Sequence, residues 1–207
     1  MNGAIDIIIP WVDEKDIEWE QDRRKWAISC GEDEFETSNV RFQSWDNLHL
    51  WFRSIEECMP WVNKIFLITC GHLPEFINKH CKKLEIIKHS DYIPQEYLPT
   101  FNSNTIEMNI HRIKDLSENF ILFSDDVFPL QPIEEEYYFK NNRVCDEAVE
   151  NIITTSSFGA VSNATRYAQV NNMFIINRYF RKREVQAKHP EQWFCEEYGD
   201  RLERTKA

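Results

Sequence analysis

Two groups of side chains near the middle of the chain have types and spacing suited to catalysis. Glu107 and His111 are four positions apart, so a helix would present a carboxylate and an imidazole on one face. Asp125 and Asp126 follow the apolar run 120–123, which is short enough to be a buried strand. Parallel α/β sheets bind ligands beyond the carboxyl ends of their strands. The combination therefore predicts a site for a divalent metal and a phosphate-bearing substrate.

Each pattern also has an ordinary structural explanation. An Asp-Asp pair after a strand can be a solvated turn or a helix cap, and a Glu–His pair can decorate a helix surface. If the strand continued through Asp125 and Asp126, their side chains would point to opposite faces and one alone could reach a metal. A turn there would leave both available, so Asp125 is either a second ligand or the group that orients the acceptor.

The elements that must position these residues are visible as short apolar runs. Four runs rich in β-branched or aromatic residues predict buried strands. They are Ile5–Ile9, Lys64–Thr69, Leu84–Lys88 and Phe120–Ser124. Helical spacing of apolar residues predicts three helices between them. These are Asp46–Met59 with Asp46 as N-cap and Pro60 as stop, Leu73–Lys82, and Asn104–Leu116 with its apolar stripe of Ile106, Ile110 and Ile113. This alternation predicts an α/β fold, with a mostly parallel sheet and helices on both faces.

The C-terminal part is expected to extend that domain. Residues 132–144 predict a hairpin-like excursion around Asn141-Asn142, and residues 163–180 predict a helix. We therefore expect a catalytic core in residues 1–130. Residues 131–207 then form the hairpin-like excursion and a small helical C-terminal extension of the same domain.

Composition limits the partners. The formal net charge of −11 argues against nucleic acid, because nucleic-acid binders need a basic surface. A phosphorylated small molecule remains compatible, since a bound cation supplies positive charge locally. The sequence contains no apolar run of the roughly 20 residues that a membrane helix needs, and no signal peptide. A cytoplasmic protein with reduced cysteines is expected. Peripheral membrane association and the oligomeric state stay open.

Three blocks within about the first 130 residues are long and unusual motifs. They are Ile5-Asp-Ile-Ile-Ile-Pro-Trp-Val-Asp13 with Asp16 and Trp19, the stretch from Arg41 through Trp45-Asp46-Asn47-Leu48 to Ile65, and the stretch from His89-Ser-Asp91 through Leu98-Pro-Thr-Phe-Asn-Ser103 to Asp125-Asp126-Val127. In this order they resemble the Stealth family. That family includes bacterial capsule-polysaccharide sugar-phosphate transferases and the animal lysosomal-enzyme N-acetylglucosamine-1-phosphotransferase.

The sequence departs from the family pattern in two places. Glu14-Lys15 follow Asp13 where the family usually has Gly-Ser, which stiffens that turn. The family also carries further conserved regions towards its C-terminus, which contribute a histidine and other active-site groups. The chain is expected to be truncated before them, and His189-Pro190 is not a convincing substitute.

The resemblance implies the reaction and its cofactor. It implies transfer of a sugar-1-phosphate from a nucleotide sugar to a hydroxyl of an acceptor glycan, in capsule or surface polysaccharide synthesis, with Mg²⁺ or Mn²⁺. It also implies a fold like that of nucleotide-diphospho-sugar transferases. Two alternatives stay open. One is a metal-dependent glycosyltransferase, and the other is an inactive, truncated module that binds a nucleotide sugar.

Roles for individual residues follow as hypotheses. Glu107 and Asp126 are the expected metal ligands, while Asp125, His111 and Arg112 are expected to act on the acceptor or the phosphate. The nucleotide sugar is expected to contact side chains at a strand end, near a helix N-terminus and in the loop before residue 104. These are Trp11, Asp13, Asn47, Asn102 and Ser103.

Overall fold

The computed structural model of the protein describes residues 3–30, 42, 44–145 and 160–188. Two compact units divide the chain, Met1–Asp146 and Glu147–Ala207. The first unit contains the sheet and the candidate catalytic residues. The described part of the second unit contains two helices.

A four-stranded, all-parallel sheet organises the first unit, in the order β3-β2-β1-β4. The strands are β1 (Ile5–Pro10), β2 (Ile65–Thr69), β3 (Leu84–Lys88) and β4 (Asn119–Leu122). All four predicted strands are confirmed, although β4 ends two residues earlier than expected. The central strand β1 is buried on both faces, which explains why its sequence is apolar except for one residue, Asp6.

Both faces of the sheet are covered, as the sequence predicted. On one face, α2 (Leu48–Cys58) packs Trp51 and Ile55 against Ile7 and Ile9 of β1. On the other face, the chain between β3 and β4 supplies the cover, and it begins with the short helix α3 (His89–Tyr92). Its buried residues Tyr92, Ile93, Ile110 and Ile113 pack against Ile8, Phe66 and Ile68. The protein is therefore an α/β protein with a parallel sheet between two apolar layers.

A buried carboxylate fixes the amino-terminal edge of this sheet. Asp6, on β1, is fully buried. Its Oδ1 accepts hydrogen bonds from Asn63 Nδ2 at 2.8 Å and from the Lys64 backbone N–H at 3.1 Å. Its Oδ2 accepts one from the Ser117 backbone N–H at 2.8 Å. A single side chain thus ties β1 to the segments that enter β2 and β4.

Two helix predictions near β2 need correction. The helix predicted from Asp46 begins at Leu48, and Asp46 is not its N-cap because its backbone lies in the left-handed region, with φ of 56°. Residues 73–82 are not helical and form separate turns instead. Asn78 explains part of this, because its side-chain Oδ1 accepts a hydrogen bond from the His80 backbone N–H at 3.0 Å, as in an Asx turn, and this local bond competes with helix.

The predicted helix over residues 104–116 is also shorter than expected. α4 spans Ser103–Met108, and a single 3₁₀ turn follows at Ile110–Arg112. At the break, Asn109 uses its side-chain Nδ2 to donate to the Thr105 carbonyl at 2.9 Å, a local bond that competes with regular helix. The apolar stripe is nevertheless confirmed, because Ile110 and Ile113 are buried and Ile106 packs against them. The premise that Glu107 and His111 share one face of a continuous helix was wrong.

Helix α1 (Ile17–Cys30), which follows the loop after β1, was not predicted from the sequence. Asp16 caps it, because its Oδ1 accepts the backbone N–H groups of Glu18 at 3.0 Å and Trp19 at 3.1 Å. The inner residues of α1 include a buried arginine, Arg23, and a buried alanine, Ala27. This helix forms one wall of the site described below.

The hairpin and the C-terminal helix are both observed. In the first unit, β5 (Phe139–Lys140) and β6 (Arg143–Val144) are antiparallel. Asn141 and Asn142 between them have φ of 52° and 62°, as the predicted tight turn requires. In the second unit, the predicted helix is α5 (Ala160–Tyr179), and α6 (Lys182–Lys188) follows. Within the described residues, no helix combines the length and apolar character needed to cross a bilayer. His189 and Pro190 lie outside the described residues.

Candidate active site

A cavity of about 570 Å³ lies at the carboxyl edge of the parallel sheet. Residues just beyond each of the four strands line it: Trp11 after β1, Cys70 after β2, His89 after β3 and Asp125 after β4. Helix α1 and residues 100–104 complete the wall. This is the position at which open parallel sheets bind their ligands.

The structure brings four of the ten predicted site residues into this cavity. Trp11, Asn102, Ser103 and Asp125 line it. Six others are described but do not line it: Asp13, Asn47, Glu107, His111, Arg112 and Asp126. Of these, Glu107, His111, Arg112 and Asp126 are exposed. The roles assigned to all ten residues stay predictions.

The two aspartates after β4 lie in a turn. The strand ends at Leu122, and the Val127 backbone N–H donates to the Ser124 carbonyl at 3.3 Å. Of the two geometries that the sequence left open, the turn is the one observed. Helix α2 anchors the chain that follows: Trp51 Nε1 donates to the Val127 carbonyl at 3.0 Å, and the Ser54 hydroxyl donates to the Pro129 carbonyl. The position of the aspartates thus depends on a helix that packs on the sheet.

Asp125 is a destabilised carboxylate. Burial raises the pKa of its carboxyl group, and the negative charge of Asp126 raises it further. A carboxyl group with a raised pKa in a cleft is a candidate functional group. A cation or a hydrogen-bond donor on a ligand would relieve the same repulsion.

The donor atoms at this turn suit a hard cation that brings other ligands with it. Among the described residues, no three His, Cys, Asp or Glu side chains converge to hold a metal. Mg²⁺ commonly takes one or two carboxylates, and water and substrate phosphates complete its coordination. Two neighbouring aspartates fit that mode of binding, and they do not form a closed metal site made of protein ligands.

His72 joins the loops after β1 and β2 behind the cavity. Its Nε2 accepts the Asp13 backbone N–H at 2.8 Å, so the proton of the neutral ring lies on Nδ1. Nδ1 lies 3.1 Å from Asp16 Oδ2. A hydrogen bond from the backbone N–H of Trp19 lowers the pKa of Asp16 below its usual value, and the hydrogen bond with His72 lowers it further. The His72 ring also meets Trp11 edge-on, with ring centres 5.2 Å apart.

Three further cavity residues were not assigned roles from the sequence: Arg23, Trp26 and His89. Arg23 is only 3% exposed, and its guanidinium carbon lies 4.8 Å from the centre of the Phe42 ring. Burial lowers the pKa of His89 to about 4, so its imidazole is neutral at neutral pH. His89 directly follows a predicted strand, and the rule that singled out Asp125 would have found it. Arg23 and Trp26 depend on α1, whose apolar residues do not recur with a clear helical period.

The fold and this cavity define the class of protein: an α/β protein with a cavity at the carboxyl ends of a parallel sheet, the position at which such sheets bind ligands. The family model described as Stealth protein CR2, conserved region 2, matches residues 41–146. The chain belongs to the Stealth family, which confirms the resemblance of its motifs.

Curated relatives carry concordant names. A capsular polysaccharide phosphotransferase WcwK of Streptococcus pneumoniae is 41% identical over 200 residues, covering 96% of this chain and 58% of the relative. A capsular polysaccharide phosphotransferase CpsJ of Streptococcus thermophilus is 34% identical over 197 residues, covering 94% of this chain and 80% of the relative. A receptor polysaccharide phosphotransferase WefC of Streptococcus gordonii is 34% identical over 187 residues, covering 89% of this chain and 55% of the relative. The chain thus spans little more than half the length of two of these relatives.

Proposed function

We propose that the protein contributes to transfer of a sugar-1-phosphate from a nucleotide sugar to a hydroxyl of an acceptor glycan, in the synthesis of a capsule or other surface polysaccharide. The observation that carries the proposal is the cavity at the carboxyl edge of the sheet, which combines a buried arginine with a destabilised carboxylate. The names of the relatives point to the same chemistry.

The proposed reaction forms one phosphorus–oxygen bond and breaks another. The acceptor hydroxyl oxygen attacks the sugar-proximal phosphorus of the donor. The bond between that phosphorus and the bridging oxygen breaks, and a nucleoside monophosphate leaves with the bridging oxygen. The hydroxyl proton passes to a base. Because charge spreads over the transferred phosphoryl oxygens, positioning and electrostatic stabilisation dominate catalysis.

The cavity residues suit these tasks. Arg23 supplies a guanidinium, which matches the geometry of phosphate oxygens. In this proposal Asp125, which lines the cavity and has a raised pKa, orients the acceptor hydroxyl and takes its proton. The neutral imidazole of His89 can donate or accept a hydrogen bond on the opposite side of the cavity floor. Asn102 and Ser103 add neutral polar groups near the start of α4.

We further propose that Mg²⁺ or Mn²⁺ binds together with the donor. Asp126 and Glu107 are the residues expected to hold it, and Asp125, next to Asp126 in the turn, is a further carboxylate that could contribute. Such an ion neutralises the donor phosphates and orients the leaving group. The proximity of two acidic side chains at the turn supports this proposal.

The test is the identity of the nucleotide that leaves. The protein is incubated with UDP- and GDP-sugars, Mg²⁺ or Mn²⁺, and a panel of methyl glycosides as acceptors, and the released nucleotide is separated by chromatography. A nucleoside monophosphate supports phosphotransfer, whereas a nucleoside diphosphate would identify a glycosyltransferase. Binding without release would identify a nucleotide-sugar-binding module. Asp125→Asn serves as the control for background hydrolysis.

A further inference from the structure

A second, smaller cavity of about 290 Å³ adjoins the first. The two share Trp26, Thr100 and Asn102 as lining residues. The rest of its wall comes from residues 96–99, just before the loop that carries Asn102, and from Thr105 of α4. Its volume lies just below the range of roughly 300–1,000 Å³ that is typical of sites for whole small molecules, as expected of a subsite.

The chemistry of the two cavities differs. The larger one contains Arg23 and His89, whereas no Lys, Arg or His is among the described residues that line the smaller one. The smaller cavity combines two aromatic rings, Trp26 and Tyr97, with one carboxylate, Glu96. Hydroxyl and amide groups from Thr100, Asn102 and Thr105 complete it. The negative charge of Glu96, with no Lys, Arg or His among the described lining residues, disfavours binding of a phosphate group. The two aromatic rings and the neutral polar groups suit an uncharged ligand that has an apolar face and many hydroxyl groups.

We propose that the smaller cavity is a subsite for a neutral sugar ring of the acceptor glycan, which packs against Trp26 and Tyr97. Glu96, Asn102 and Thr105 then offer hydrogen-bond partners to its hydroxyls. The assignment of this sugar as the acceptor rests on the proposed function. A ring held here lies next to the shared wall, which is where an acceptor must be if its hydroxyl is to meet a donor phosphate in the larger cavity.

Tyr97 provides the sharpest test, because it is 53% exposed and its replacement does not open the core. Saturation-transfer NMR and titration measure the affinity of methyl glycosides of common neutral hexoses and N-acetylhexosamines. Tyr97→Ala is expected to weaken the best-binding glycoside by about tenfold, and Tyr97→Phe, which keeps the ring, by much less. Tyr137→Ala, which removes another exposed tyrosine of the same unit, is the control and is expected to bind as the wild type does.

A second measurement separates a true subsite from an extension of the donor site. The same titration is repeated with the protein saturated with a UDP- or GDP-sugar. Independent binding of glycoside and nucleotide sugar is expected if they occupy adjacent cavities. Competition between them would overturn the proposal, as would equal affinity in the wild type and Tyr97→Ala or the absence of glycoside binding to the wild type.

These outcomes also distinguish failure of the subsite from failure of the proposed function. If nucleoside monophosphate is released but Tyr97→Ala leaves the KM for the acceptor unchanged, the subsite is wrong and the function stands. If Tyr97→Ala weakens glycoside binding but no nucleotide is released by the wild type, the cavity binds sugar and the phosphotransfer proposal fails.

Discussion

Replacing His72 with phenylalanine tests whether the loops after β1 and β2 hold the wall of the cavity. Phenylalanine keeps an aromatic ring against Trp11 but removes both hydrogen-bonding nitrogens. The bond from the Asp13 backbone N–H to Nε2 is between neutral groups and is worth about 1 kcal/mol. The bond between Nδ1 and the Asp16 carboxylate involves a charged group and is worth about 2 kcal/mol.

The expected loss is therefore about 3 kcal/mol in the free energy of unfolding. The His72 side chain is 10% exposed and the Asp16 side chain 29%, so solvent offers incomplete replacement for these bonds. The loss is measured as a shift in urea midpoint at neutral pH, with the slope of the transition unchanged. His80→Phe is the matched control because His80 is exposed, and its effect is expected to stay within about 0.5 kcal/mol.

A second readout addresses the site. Asp16 caps α1, the helix that carries Arg23 and Trp26 into the cavity. The His72→Phe protein is expected to bind a nucleotide sugar more weakly than the His80→Phe protein under conditions in which both are fully folded. If His72→Phe costs less than about 0.5 kcal/mol, the two bonds do not support the loops and this reasoning is refuted.

Four other substitutions probe individual residues. Asp126→Asn is expected to abolish the rise in thermal midpoint caused by Mn²⁺ with nucleotide sugar, because a hard cation loses a charged ligand. Asp125→Asn is expected to raise the thermal midpoint of the ligand-free protein at neutral pH, because the raised pKa means that folding disfavours the ionised carboxylate. The same variant is expected to release nucleotide about 100-fold more slowly or worse, because it lacks the proposed base. The lowered pKa of His89 makes the unfolded chain bind more protons than the folded protein between about pH 4 and 6.5. The free energy of unfolding of the wild type therefore decreases as pH is lowered through that window, and His89→Gln should reduce this pH dependence in a series of urea titrations. Asp6→Ala is expected to lower the free energy of unfolding by about 3 kcal/mol in the same urea assay, since three hydrogen bonds to a fully buried carboxylate are lost.

Each of these has an outcome that contradicts it. An equal Mn²⁺-dependent shift in wild type and Asp126→Asn would remove Asp126 from the metal site. A lower midpoint for Asp125→Asn would mean that its charge stabilises the fold. An unchanged slope in His89→Gln would place the pH dependence elsewhere, and a near-neutral Asp6→Ala would show that solvent replaces its bonds.

The sheet could be predicted because its strands carry a strong local signal. A parallel strand buried on both faces needs a nearly continuous apolar run, and β1, apart from Asp6, and β2 have such runs. The strand ends then located Asp125 and Trp11, since ligand sites in these sheets lie beyond the carboxyl ends. These features depend on the residues of one segment and on a general rule of topology.

The features that could not be predicted depend on side chains that break the periodic pattern. Helix α1 packs inwards through a face that includes Arg23, so its apolar spacing is irregular. Asn78 and Asn109 form local hydrogen bonds that compete with helix, and each lies in a segment for which a longer or additional helix was expected. The small cavity beside Tyr97 requires the fold of α1 and of residues 96–105 together, which no single segment specifies.

The path of the sugar-proximal phosphorus tests the central claim most directly. The donor is a UDP- or GDP-sugar that carries radioactive phosphorus at that position alone, supplied with Mg²⁺ or Mn²⁺ and the best-binding methyl glycoside. The account predicts that the label moves to the glycoside, in a sugar-phosphate-glycoside product, and that the released nucleoside monophosphate carries none. Label recovered in a released nucleoside diphosphate, with an unlabelled glycoside product, would contradict it.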